Sequence, residues 1–356
     1  MPVRIGVVGA GKFGQTHLEV FTQLEGAGVE LAAIAETDPE RAEALRARYG
    51  RPVYGDYREM LEKEPMDAIS VATPDHLHRD IVVAAAAAGK HVLVEKPLDV
   101  TVAGAEAMVR TARDAGVLLQ VDFHKRYDPD HRAIERRVRS GDLGTILYGS
   151  VHMEDRIEVP RDWFPHWAAS SSPAWFLGVH FYDLVRWILR SEARSVHATG
   201  MKGTLAGDHG IDAYDCVNAK IDFESGAAFS FDTSWVLPDG FEAIVNQGLR
   251  IVGTRGVFEC DSQDRGTRSC IAGEGMATYN NNFRHETTDR SGRTRLRGYG
   301  IESIEDFAGN VRYLSEGGRL SDLKGLWASG EDGLEVTRIA VAVHESLATG
   351  RVVRLR

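Results

Sequence analysis

The strongest constraint on this chain lies near its start. An apolar run, Val3–Val8, ends at Gly9-Ala10-Gly11-Lys12-Phe13-Gly14, and Phe13, His17, Val20, Phe21 and Leu24 then recur at helical spacing. Each glycine has a separate physical reason. Gly9 permits a tight turn, Gly11 lets backbone amides approach a pyrophosphate, and Gly14 lets the helix pack closely on the strand. The helix dipole puts its positive end at the phosphates. A strand–turn–helix in this context predicts a dinucleotide site, with Gly9, Gly11, Lys12, Phe13 and Gly14 as cofactor-binding residues. Glu36 ends the second expected strand, 22 positions after Gly14. A carboxylate there accepts from the adenosine ribose hydroxyls and repels the additional phosphate of NADP. Thr37 follows it where an arginine would welcome that phosphate, so NAD is expected over NADP.

The next hundred or so residues keep the same rhythm. Residues 30–35, 68–72, 91–95 and 117–121 read as strands. Between them, Asp38-Pro39 caps and opens a helix to Tyr49, an alanine-rich helix over 79–88 closes at Gly89, and another covers 101–115. Such alternation predicts an α/β domain, a doubly wound parallel sheet with helices on both faces. The texture changes after Phe123. In 227–236, Phe229, Phe231 and Trp235 share one face and Ser230, Asp232 and Ser234 the other; Val217, Ala219, Ile221 and Phe223 align similarly in 215–223. A largely antiparallel sheet is expected, its apolar face covered by helices of the same chain or by another subunit. The expected domains are 1–123 and 124–356. Residues 266–298, with Arg293, Arg295 and Arg297, read as a solvated polar loop, or less simply as an anion-binding rim. Two late helices are marked by Ile304, Phe307, Val311 and Leu314, and by Leu334, Ile339, Val343 and Leu347.

Composition removes several function classes. With 43% apolar and 26% charged residues in 356, the chain has the make-up of a folded globular protein. Its formal charge of −10 argues against a surface built for nucleic acid or anionic lipid. Cys216, Cys260 and Cys270 form no Cys-x-x-Cys; they suit a reducing compartment and read as packing residues. Residues 163–182 lack Asp, Glu, Lys and Arg but contain Pro165, Pro173 and two histidines, so they are not a membrane helix. Met1-Pro2 leads at once into Val3, Ile5 and Val7, so no secretory leader is expected and the cytoplasm is the expected compartment. Neither a Gly-x-Ser-x-Gly elbow nor a His-Glu-x-x-His pair is present to support a hydrolase.

Two further motifs complete a recognisable set: Ala72-Thr73-Pro74-Asp75-His76-Leu77-His78, and Gly89-Lys90-His91-Val92-Leu93-Val94-Glu95-Lys96-Pro97. With the glycine loop they resemble the glucose–fructose oxidoreductase, inositol dehydrogenase and MocA family of sugar and polyol dehydrogenases. The likeness is specific in order and spacing over the first 130 residues. It continues more loosely through Gly178-Val179-His180-Phe181-Tyr182-Asp183 to the end. The resemblance implies an N-terminal Rossmann domain and a C-terminal α/β domain with an open sheet, whose exposed face in many members forms a dimer or tetramer interface. It places Thr73, Pro74 and His76 beside the nicotinamide half of the cofactor. It places Glu95 and Lys96 beside the nicotinamide ribose, the Lys96 ammonium reaching the substrate hydroxyl. Pro97 in such motifs is often preceded by a cis bond. His76 and His78 invite reading as a metal pair, but the motif assigns them to the nicotinamide loop, and no metal is expected.

Hydride transfer from a secondary alcohol needs a base for the hydroxyl proton. His180 is the candidate, an imidazole able to be neutral at pH 7, with Lys96 stabilising the developing alkoxide or relaying the proton. The plainer reading of His180 is a residue capping a helix over 182–189. Family members commonly carry Asp four residues before this histidine; here that position is Phe176, which neither orients an imidazole nor accepts a proton. Either Asp183, Glu154, Asp155 or Asp162 substitutes, or His180 and Lys96 act without a carboxylate, or the chemistry is unusual. Ser170, Ser171 and Ser172 stand where relatives often carry glycines. Trp163, Phe164, Trp167 and Trp175 offer faces to the C–H surface of a sugar, or pack a core. His124, Lys125, Arg126 and Tyr127 are expected to open the second domain. Lys96, Arg126, Arg156, Trp163, Phe176 and His180 are the candidate substrate contacts. Three functions follow: an NAD-dependent oxidoreductase acting on a sugar, cyclic polyol or sugar derivative; an NAD-retaining redox-elimination enzyme cleaving glycosides; or a non-catalytic NAD-binding sensor.

Overall fold

A computed structural model describes residues 1–356 except 263–266, 272, 274, 324, 326 and 356. It divides into two compact units, Met1–Tyr127 with Phe283–Thr337, and Asp128–Asn282 with Arg338–Arg356. The expected division was a single cut after residue 123. Instead, 283–337 pack with the first unit, and His124, Lys125, Arg126 and Tyr127 also belong there.

In the first unit, β1 (Val3–Val8), β2 (Val29–Ala35), β3 (Val53–Tyr54), β4 (Ala68–Val71), β5 (His91–Val94) and β6 (Leu119–Val121) pair in the order β3-β2-β1-β4-β5-β6, all parallel. The helices between are α1 (Lys12–Gln23), α2 (Pro39–Tyr49), α3 (Tyr57–Lys63), α4 (His78–Ala87) and α5 (Val102–Ala115). Helix α2 starts and stops as its sequence dictates: Asp38 accepts the Arg41 N–H at 2.8 Å, Pro39 follows, and Gly50 ends it at φ 60°. The order in which strands are added reverses between β1 and β4, and the crevice at such a switch point is where open α/β sheets bind ligands. The core joins Val3, Ile5, Val7, Leu18 and Phe21 to Leu296, Ile301, Ile304, Phe307 and Val311. Late residues therefore finish what the first strands begin.

The second unit contains α6 (Pro129–Arg139), β7 (Ile146–Arg156), α7 (Pro165–Ala168), α8 (Val179–Leu189), β8 (Ala193–Met201), α9 (Thr204–His209), β9 (Cys216–Phe223), β10 (Ala228–Leu237), β11 (Val245–Gly253) and β12 (Val257–Asp261). A hairpin of β13 (Arg268–Ile271) and β14 (Gly275–Thr278) follows, and the chain then contributes β15 (His285–Thr288), β16 (Thr294–Arg297) and α10 (Tyr299–Ser315) to the first unit. Helix α11 (Gly330–Thr349) and β17 (Val353–Arg354) end it. The main sheet runs β12-β11-β7-β10-β9-β8-β17, antiparallel except for β7 with β10. Phe229, Phe231 and Trp235 are buried, with Tyr182 of α8 edge-on to Phe231 at 5.1 Å. A helix of the same chain thus covers this apolar face, while Ser230, Asp232, Asn218 and Lys220 are exposed. The expected polar loop over 266–298 is a correction: its described part includes the two hairpins, and Gly266, Ala272 and Glu274 lie outside the described residues. Among the described residues no helix is long and apolar enough to cross a membrane.

Candidate active site

The glycine loop behaves as its spacing requires. Gly9 has φ +86°, and a Cβ there would lie 2.7 Å from the Ala72 carbonyl oxygen. A Cβ at Gly14 would overlap the Gly9 carbonyl oxygen, whereas one at Gly11 would meet no atom within 4 Å. The amides opening α1 are not capped by a side chain at Gly11. Lys12 and Phe13 are exposed beside them. Glu36 is buried under the loop: it accepts from the Ala10 N–H at 3.0 Å, the Asp38 N–H at 2.9 Å and the Arg41 guanidinium at 3.1 Å. The Thr73 hydroxyl is buried with no hydrogen-bond partner in the structure. An open cradle at Gly11, uncapped amides, a fixed carboxylate and a spare hydroxyl fit a dinucleotide.

Lys96 follows β5 and is 8% exposed, and its bond to Pro97 is cis. His78, buried at the start of α4, places one ring nitrogen 2.9 Å from the Pro97 carbonyl oxygen and the other 3.0 Å from that of Thr73, tying the two motif loops together. Pro74 precedes a short helical turn, and the His76 side chain is mostly exposed, its backbone N–H donating to Asp75 at 2.9 Å. Below Lys96 sits a buried polar group. His17 Nδ1 lies 2.7 Å from Ser70 Oγ, and its Nε2 lies 3.1 Å from Glu95 and 3.9 Å from Asp122. The other Glu95 oxygen accepts from the Lys96 N–H at 3.3 Å. Burial, then the charge of Glu95, pushes the Asp122 carboxyl up to about 7. Burial acts to raise Glu95 too, but the His17 hydrogen bond and the charges of His17, Lys96 and His124 outweigh it and hold Glu95 low. Among the described residues, His17, Glu95 and Asp122 are also the one group with donor atoms close enough for a cation; their spacing is already that of a hydrogen-bond network.

The remaining first-unit candidate is Arg126. It is buried and grips Asp332 through both terminal nitrogens, each 3.3 Å from a carboxylate oxygen. The other candidates lie in the second unit. His180 is 5% exposed in α8, which continues a π-helical turn over Ala174–Gly178. Helical backbone precedes His180, so it does not cap the helix. Phe176, on that turn, packs with Trp167 at 5.3 Å and with Phe164 and Trp235 at 5.9 Å; Trp163 meets Phe164 edge-on and is partly exposed. Trp175 instead stacks on His344 at 5.3 Å, and Ser172 bonds the same imidazole at 2.8 Å, which makes both packing residues. Arg156 pairs with Glu158. Of the carboxylates considered for the missing aspartate, Glu154 receives Asn246, Asp162 pairs with Arg161 at the surface, and Asp155 and Asp183 are buried.

Residues 3–123 match the family model described as "Oxidoreductase family, NAD-binding Rossmann fold", and 131–259 match "GFO/IDH/MocA C-terminal domain". The scyllo-inositol 2-dehydrogenase (NAD(+)) of Bacillus subtilis is 30% identical over 263 residues, 71% of this chain and 74% of that one. The chain belongs to the glucose–fructose oxidoreductase, inositol dehydrogenase and MocA family. It is accordingly an oxidoreductase whose cofactor is NAD. Its fold is shared with GenD2 from gentamicin A biosynthesis, solved with NAD (25% identity, TM-score 0.79, covering 100% of this chain and 97% of that one). It is also shared with Lactobacillus casei scyllo-inositol dehydrogenase, solved with NAD(H) and scyllo-inositol (19% identity, TM-score 0.76, 99% of both chains).

For a family member, several structural partners escaped sequence reasoning. His17 read there as one more position on the buried stripe of α1. Its partners Ser70, Glu95 and Asp122 stand at the ends of β4, β5 and β6, and only the strand order brings them together. His78 sat inside a quoted motif, yet its bridge between Thr73 and Pro97 needs both loops in place.

Proposed function

We propose that the first unit holds NAD and that the chain is a dehydrogenase oxidising a secondary alcohol of a sugar, cyclic polyol or sugar derivative. NAD, when bound, supplies the hydride acceptor. Lys96 binds the substrate hydroxyl and stabilises its oxygen as negative charge develops. His180 accepts the hydroxyl proton. Thr73, Pro74, His76 and Glu95 serve the nicotinamide half of the cofactor, and Trp163, Phe176, Arg126 and Arg156 serve the substrate. With Phe176 in place of aspartate, Lys96 and His180 act without a carboxylate at that position. The observation that carries this reading is the buried Lys96, following β5 on the same strand-end edge as the Gly9–Gly14 loop. Copies of the chain associate through the exposed face of the second sheet, in the cytoplasm.

The test is NADH absorbance with inositols, hexoses and uronic acids, alongside thermal shift with NAD and NADP. Lys96→Ala is expected to lower kcat/KM about 100-fold or more while NAD affinity stays within about twofold. Retained turnover would remove Lys96 from the chemistry. Glycoside cleavage without net NADH would favour redox elimination, and NAD binding with no turnover a sensor.

A further inference from the structure

The network beneath Lys96 does more than fill the core. His17 sits one turn beyond Gly14 on α1 and is 1% exposed. A ring proton on Nε2 satisfies the contact to Glu95, to which Nε2–H is donated, while Nδ1 meets the Ser70 hydroxyl. Glu95 then has one oxygen fixed by His17 and the other by the Lys96 backbone N–H. Its carboxylate has two anchors, and the charge of Lys96 acts on it directly. The groups facing this site come from every surrounding element. They are His17 from α1, Ser70 from β4, Glu95 and Lys96 after β5, Asp122 and His124 after β6, and Ser303 from α10. Glu95 and Asp122 cannot both carry full charge cheaply in so dry a place, and His17 bonds Glu95 while Asp122 stands farther off at 3.9 Å. The imidazole thereby selects which carboxylate is the anion.

We propose that His17 is a positioning residue for hydride transfer: by donating to Glu95 it fixes that carboxylate against the Lys96 backbone and keeps a compensating negative charge beside the Lys96 ammonium. This rests on the role given to Lys96 above. A carboxylate anion near a buried ammonium favours its charged form, the form that can hold a substrate hydroxyl and offset an alkoxide.

Two substitutions in the full chain separate the contacts. His17→Gln extends an amide donor toward Glu95, whereas His17→Asn reaches only toward Ser70. The first readout is the pH dependence of Lys96 acetylation by trace acetic anhydride in cofactor-free protein, followed by mass spectrometry. The second is the pH profile of kcat and KM with a polyol. His17→Asn is expected to move the acetylation midpoint down by about one pH unit, and to lower kcat about tenfold or more with KM little changed. His17→Gln is expected to keep most of both. Glu95→Gln keeps the shape and removes the charge, so it should move the midpoint the same way, and it decides the matter if His17→Asn does not fold. An unmoved midpoint in the foldable variants, or equal kcat losses in His17→Gln and His17→Asn, would overturn the proposal. If the wild-type protein reduces no NAD with any polyol, the dehydrogenase reading fails, while the acetylation midpoints still decide whether His17 governs Lys96.

Discussion

Glu36 accepts two backbone amides and a guanidinium, so its charge is held at the end of β2 and does not swing into solvent. One side chain therefore shapes the glycine loop and fixes a negative charge beside it, where we propose that the adenosine ribose binds. In Glu36→Gln the amide oxygen still accepts one N–H, the charge disappears, and the Arg41 guanidinium is released. The preference for NAD over NADP, measured as a ratio of kcat/KM, is expected to fall about tenfold or more. An unchanged ratio would take Glu36 off the ribose. The position of Glu36 was legible because its distance from Gly14 is a property of one β-α-β unit. Arg41 was not, since it reaches Glu36 by the turn of α2. His17 was harder still: its nearest partners stand 53 and 78 positions away, and no local pattern distinguishes it from an apolar neighbour on α1.

At the level of elements, the loop between β1 and α1 makes opposite demands on two of its glycines. Gly11→Ala places a methyl in open space, so the denaturant midpoint should match wild type while NAD affinity, measured by calorimetry, drops about tenfold or more. Gly14→Ala drives a methyl into the Gly9 carbonyl, which is backbone and cannot step aside. It should cost about 1–3 kcal/mol of stability. Equal effects of the two changes would mean that the loop does not cradle phosphate. The long strands were legible because one face of each is buried and writes a period of two into the chain. The hairpin strands β13 and β15 are largely exposed, so no such alternation marks them. The π-helical turn before His180 was invisible for a related reason: apolar spacing announces a helix but not a locally widened turn, and the helix was expected to begin later, at residue 182.

The whole molecule feels the buried carboxylates through its stability. The folded value of about 7 for Asp122 lies above that of an ordinary aspartate, so the folded chain keeps a proton that the unfolded chain has released. That contribution is full below about pH 4 and is lost as pH rises through about 7. Glu95 is shifted the other way, so its contribution is lost only in acid, below the ordinary carboxylate range. The melting temperature is therefore expected to fall between about pH 4 and pH 7, and Asp122→Asn should flatten the fall. A variant with the same slope as wild type would place the titration elsewhere.

The closing of the first core by Leu296, Ile301, Ile304, Phe307 and Val311 has a consequence for how the protein is made. A ribosome adds about 5–20 residues per second, and the strands it releases first must wait, one apolar flank bare, until nearly the last stretch emerges. The nascent chain thus carries bare apolar surface through most of its own synthesis, and self-association during that interval is the hazard this late closure creates.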